Sequence, residues 1–120
     1  MRRDWELIRK IVLAVEDHPG GFAPDDLQFD GVTEEQIGYH CYLIVDAGYA
    51  VGEDVFTSPG TSPRWSILHL TSAGHDFAEA CRNDTIWANT MKLVREKAGT
   101  VTAEVLKSLL AAGLKSVLGV

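Results

Sequence analysis

Apolar residues return at intervals of three and four near the start of the chain: Trp5, Ile8, Ile11, Val12 and Val15. That spacing predicts an amphipathic helix over residues 4–16, with Asp4 as its cap or first-turn anion and His18-Pro19-Gly20-Gly21 as its stop. The period then shortens. In "FAPDDLQFDG", residues 22–31, Leu27 and Phe29 alternate with polar neighbours, which predicts a short strand between turn signals. Thr33 followed three residues later by Gln36 has the form of a capping box, opening a second helix that Gly48 closes. Residues 49–55 and 65–70 are two β-rich runs joined by "TSPGTSPR", a loop with two prolines and a glycine, so a hairpin with a flexible tip is expected.

Three helices should follow. Thr71 caps "SAGHDFAEAC", with Phe77, Ala78 and Cys81 toward a core. Asn83 or Asp84 caps a further helix carrying Ile86, Trp87, Thr90, Met91, Val94 and Ala98 to Gly99. The last helix, capped by Thr102, places Leu106, Leu109, Leu110, Leu114, Val117 and Leu118 on one stripe. Helix, short strand, helix and β-hairpin make an α+β domain of winged-helix type, with additional C-terminal helices. A single domain over residues 1–120 is expected, with a winged-helix core at 1–81 and a helical extension at 82–120. One element of that plan is absent, because the helix that normally precedes the recognition helix is reduced to "APDDLQFDG".

Composition adds boundaries to this picture. A chain of 120 residues, 46% of them apolar, is long enough for one core and short for two. No stretch approaches the roughly 20 apolar residues of a membrane span. Cys41 and Cys81 lie in apolar helical patterns without a paired motif, and no secretory signal pattern precedes them, so a reduced, cytoplasmic protein is expected. Net charge is −6, and its distribution matters more than its sum. Residues 11–63 contain ten carboxylates and no Lys or Arg. The cations sit outside that block, so the molecule should be electrostatically polar.

"RRDWELIRKIVLAVE", "GYHCYLIVDAG" and above all "LTSAGHDFAEACRNDTIW" resemble the bacterial and prophage-borne family called domain of unknown function 2513. The resemblance covers nearly the whole chain. Its most specific part is the block formed by Thr71, Gly74, His75, Phe77 and residues 82–87. It implies a small winged-helix fold, and it brings no activity, ligand or catalytic residue with it.

The second helix should occupy the groove-reading position of such a fold. At about 100° per residue its buried side collects Ile37, Cys41 and Ile44, and its open side collects Glu35, Tyr39, Tyr42 and Asp46. Duplex phosphates demand Lys and Arg at that place, and two carboxylates there repel them. Arg64, in the wing, is the nearest cation along the chain. Tyrosines ringed by acids suit a protein partner better, since tyrosine offers rigid amphipathic contact area. The competing expectation is that both rings simply cover the C-terminal helices.

The remaining clusters have plainer readings beside the functional ones. Arg2, Arg3, Arg9 and Lys10, together with Arg82, Lys92, Arg95 and Lys97, could form a basic patch for nucleic acid, although Asp4, Glu6, Asp84 and Glu96 among them favour an ordinary solvated face. The C-terminal stripe, Leu110, Leu114 and Val117 included, serves dimerisation or docking onto its own domain equally well. His75 and Asp76 diverge by about 100° on a helix and cannot chain a base to an orienter, so a structural role is expected for His75. His40 and Cys41 point apart for the same reason and are not a metal pair. Trp5, Trp65 and Trp87 are expected in the core.

The sequence therefore favours a non-enzymatic protein-interaction module. It is expected to take no cofactor, metal or small-molecule substrate, and to bind another protein or itself as a homodimer, through Glu35, Tyr39, Tyr42, Asp46 and the C-terminal stripe. The alternative is a DNA-binding transcription regulator that uses the basic residues, Arg64 among them.

Overall fold

The computed structural model describes residues 1–55, 59–97 and 100–119, without the side chain of Val117. It is an α+β arrangement of five helices and one two-stranded antiparallel hairpin: α1 (Trp5–Asp17), α2 (Glu34–Asp46), β1 (Ala50–Asp54), β2 (Trp65–Leu70), α3 (Ser72–Cys81), α4 (Asp84–Lys97) and α5 (Ala103–Leu118). The chain forms two compact units, Met1–His75 and Asp76–Val120, with the boundary inside α3.

The caps are those the side chains dictate. Asp4 Oδ1 accepts from the Glu6 and Leu7 amides at 2.9 and 3.4 Å and starts α1. At α2 the capping box is complete: Thr33 Oγ1 accepts from the Gln36 amide at 3.1 Å, and Gln36 Oε1 accepts from the Thr33 amide at 2.8 Å. Gly48, at φ 83°, supplies the left-handed residue that lets the chain leave α2 and enter β1. Thr71 Oγ1 accepts from the Gly74 amide and donates to the Gly48 carbonyl at 2.6 Å, so one hydroxyl fixes both the start of α3 and the end of α2. Asn83 Oδ1 and Thr102 Oγ1 cap α4 and α5 in the same manner.

In the first unit, α1 and α2 pack on each other and on the hairpin. The core holds Leu7, Ile8, Ile11, Val12, Val15, Ile44, Ile67 and Leu70, with Trp5 at its edge. His40 is buried among them and links two helices: its Nε2 accepts the Asp4 amide at 2.9 Å, and its Nδ1–H donates to the Gln36 carbonyl at 2.7 Å. Those partners require the neutral ring with the proton on Nδ1. In the second unit Phe77, Ala78, Cys81, Ile86, Trp87, Val94, Leu106 and Leu110 are buried, and α4 and α5 approach closely where Gly113 meets Ile86.

Three expectations need correction or limits. No strand forms at residues 22–31. The Ala23 amide donates to the Leu68 carbonyl at 2.8 Å, so the segment does reach the outer edge of β2. It makes no continuing ladder, however: Pro24 follows, Asp25 and Asp26 turn into solvent, and Leu27 and Phe29 are only half-buried. Alternation therefore marked a half-covered extended chain rather than a paired one. Trp65 is half-buried at the start of β2 and is not core, unlike Trp5 and Trp87. Residues 56–58 of the expected hairpin loop, and Ala98 and Gly99 at the expected end of α4, lie outside the described residues.

Candidate functional site

The open side of α2 carries the residues that its helical period places there. Glu35 and Asp46 are exposed, and Tyr39 and Tyr42 are half-buried. The rings are not isolated. Tyr39 lies 5.9 Å from Tyr42, and Tyr42 lies 6.0 Å from Trp65, both tilted, so an aromatic ridge runs from mid-helix onto the hairpin. Trp65, expected in the core because tryptophan in a strand usually packs there, is instead the third ring. Its place at the first residue of β2, beside a loop, was the available signal.

Carboxylates flank this ridge for two different reasons. Glu34 and Glu35 occupy the first turn of α2, where the helix dipole favours anions. Asp46 sits in the last turn, where the dipole disfavours an anion and no basic residue offsets it. Stability therefore explains the first two and not the third.

Arg64 does not stand alone. Its Nη2 donates to Glu34 Oε2 at 3.0 Å, and Ser62 Oγ donates to Glu35 Oε1 at 3.0 Å, so the loop end of the hairpin is tied to the start of α2. Arg64 is about half exposed in this ion pair and Glu34 largely so, which limits it to about 0.2–1 kcal/mol. The stem of Arg64 crosses α2 at Gly38, where an added Cβ would come within 2.7 Å of Arg64 Cγ. Glycine in mid-helix costs about 1 kcal/mol relative to alanine, and here it makes room for that stem.

Beside this crossing a cleft of about 190 Å³ opens between residues 24–27, α2 and the hairpin. Ile37, Cys41 and Ile67 form its floor, Trp65 one wall, and Asp25, Asp26, Glu34 and Arg64 its rim. Small-molecule pockets usually run to ~300–1,000 Å³, so the space suits one side chain better than a cofactor. Burial pushes the Cys41 thiol up to about 12 from its ordinary 9.0, which keeps it protonated and unreactive.

The remaining candidates are scattered. Arg2, Arg3 and Lys10 are exposed and Arg9 is half-buried in the first unit, with the Arg3 guanidinium 4.4 Å from the Trp5 ring. Arg82, Lys92, Arg95 and Lys97 are exposed in the second, where Lys92 lies 4.0 Å from Glu96. Leu110 is fully buried and therefore unavailable to a partner, Leu114 is half-buried, and the side chain of Val117 lies outside the described residues. His75 Nδ1 meets Glu16 Oε2 of α1 at 2.9 Å, a contact that ties the start of α3 to α1. Among the described residues, no group of three or more His, Cys, Asp or Glu is placed to hold a metal ion, and no helix is long and apolar enough to cross a membrane.

The family described as "Hypothetical protein (DUF2513)" matches residues 2–100, from the N-terminus through α4. The chain belongs to this family. Within DUF2513 the match takes in α2, the hairpin, the cleft and the Thr71–Gly74 junction, and it stops before α5. An "Uncharacterized protein" of Haemophilus influenzae is 30% identical over 112 residues, covering 91% of this chain and 92% of the relative. No solved structure matches.

Proposed function

We propose that this chain is a non-enzymatic protein-binding module of winged-helix type, in which α1, α2 and the hairpin correspond to the helices and wing, and α2 meets a polypeptide rather than a DNA groove. The observation that carries this reading is the ridge Tyr39, Tyr42 and Trp65, held half-open between Glu35 and Asp46. Half-exposed aromatics in mutual contact supply area at low entropic cost, as interface anchors do. Asp46, placed where it costs helix stability, is accounted for by a cationic partner group. Duplex DNA would bring phosphates against the same carboxylates, with no cation between residues 11 and 63 to receive them.

The test uses two variants, Tyr39→Ala/Tyr42→Ala and Glu35→Lys/Asp46→Lys, in affinity capture from the native host with wild type alongside. Partner species present with wild type should be lost with both variants, while circular dichroism shows each still folded. The charge variant guards against the chance that losing two packed rings unsettles α2. A gel-shift series at rising salt probes DNA. Submicromolar binding near physiological salt that disappears on replacing Arg2, Arg3, Arg9 and Lys10 would overturn the reading.

A further inference from the structure

The cleft beside Arg64 narrows the partner's chemistry, resting on the protein-binding reading above. Its rim carries three carboxylates, Asp25, Asp26 and Glu34, against one guanidinium. Arg64 pairs with Glu34 through Nη2, and among the described residues neither Asp25 nor Asp26 has a cationic partner. The floor is apolar, and its volume of about 190 Å³ lies below the ~300–1,000 Å³ of usual small-molecule pockets. A flat or purely acidic surface would draw any cation, whereas this space asks for a long apolar stem with a charge at its end.

The chain itself shows how such a group lies there. Arg64 runs its methylenes over Gly38, whose missing Cβ leaves the track, and reaches a carboxylate. We propose that the cleft receives the arginine side chain of a partner polypeptide, its stem on Ile37, Cys41 and Ile67, its guanidinium between Asp25, Asp26 and the Trp65 ring. Arg64, held by Glu34, is then a like charge at the edge of the same acidic rim. Arginine fits better than lysine because a planar guanidinium can stack on an indole and reach two carboxylates together. The Arg64–Glu34 pair, half exposed at Arg64 and largely exposed at Glu34, contributes little by itself.

Amide NMR titration of the full chain with N-acetyl-arginine-N-methylamide tests this. Its lysine and citrulline analogues serve as the cationic and neutral comparisons. With the arginine probe, shifts should concentrate at Gly38, Cys41, Ser66 and the Trp65 indole, the lysine analogue should bind more weakly, and citrulline should leave these signals in place. Arg64→Ala should tighten binding by up to about fivefold by removing that like charge, and Asp25→Asn/Asp26→Asn should weaken it about tenfold. Equal response to citrulline, shifts spread evenly over Asp46, Glu53 and the other acids, or no gain with Arg64→Ala would each overturn the proposal. Should the cleft ignore guanidinium while the Tyr39/Tyr42 variant still loses its partner, this inference falls and the protein-binding reading stands. Arginine binding in the cleft together with unchanged capture by that variant would do the opposite, keeping the cleft and removing the ridge.

Discussion

Replacing Gly74 by alanine should be among the most damaging one-carbon changes in this chain. Gly74 is the third residue of α3, and a Cβ built there collides with the Tyr49 carbonyl oxygen, part of the backbone leading into β1. A side chain could rotate away; a carbonyl in the turn from α2 to β1 cannot. Relief requires α3 to lift, which loosens two bonds at the same junction, Thr71 N–H to the Tyr49 carbonyl at 3.0 Å and Thr71 Oγ1 to the Gly48 carbonyl at 2.6 Å. Overpacking costs ~1–3 kcal/mol and belongs at the upper end against rigid backbone, and the weakened bonds add ~1 kcal/mol each at most. Alanine's better helix propensity returns about 1 kcal/mol. The net is about 3 kcal/mol of lost stability. Urea unfolding followed by circular dichroism, at a slope of about 1.5 kcal/mol/M, would show the midpoint falling by ~2 M. Gly21→Ala is the control, since nothing lies within 4 Å of its added Cβ, and it should change little. A Gly74→Ala midpoint equal to or above wild type would mean that helix propensity wins and that α3 does not sit on the Tyr49 carbonyl.

Two further outcomes follow from buried groups. His40→Phe keeps the ring volume but strands the Asp4 amide and removes a donor from the Gln36 carbonyl, so it should cost about 1–3 kcal/mol by the same unfolding assay, with α1 losing amide protection first. Cys41 gives a pH signature: its folded thiol titrates near 12 and its unfolded thiol near 9.0, so above pH 9 the unfolded chain sheds a proton that the folded chain keeps. Stability contributed by this group is whole below pH 9 and falls by up to about 1.4 kcal/mol per pH unit from there toward 12. Measured as the gap between wild type and Cys41→Ala at pH 7.5 and pH 10, it should shift by roughly that amount against wild type; an unchanged gap would place the thiol in water.

Local signals carried the helices. Thr33 and Gln36, Asp4, Thr71, Asn83 and Thr102 each announced a helix start by side-chain chemistry confined to four residues, and the caps in the structure are those residues. Relations across long separations stayed hidden. Glu34 and Arg64 are thirty residues apart, and no spacing rule joins a helix start to the end of a hairpin loop. Gly38 did hold a clue, since glycine inside a capped amphipathic helix is unfavourable unless something approaches closely. The segment at residues 22–31 misled because half-burial and strand pairing write the same two-residue period, and only a partner edge tells them apart. The leucine stripe of α5 was ambiguous in a similar way: Leu106 and Leu110 are fully buried within the chain, while Leu118 is 71% exposed.

Charge placement is the strongest constraint on what the proposed binding face can do. Residues 1–75 contain twelve Asp and Glu against five Lys and Arg, so the whole negative excess of the chain belongs to the unit that bears α2. Part of that excess has a local cause, because Glu34 and Glu35 at the head of a helix stabilise it wherever it docks. Asp46 has no such cause, and neither does Asp25 on the rim of the cleft, while Asp26 accepts from the neutral Gln28 Nε2 at 2.8 Å. Of the five cations, Arg64 is already committed to Glu34, and Arg3 lies over Trp5. A polyanion approaching α2 would meet the carboxylates of a helix that carries no Lys or Arg of its own, and added salt would ease that repulsion instead of weakening a bound complex. A basic polypeptide meets the opposite field: attraction at long range, then aromatic area at contact. The salt dependence of any partner captured through the ridge should accordingly be a loss of association rate as ionic strength rises, with the dissociation rate set by Tyr39, Tyr42 and Trp65.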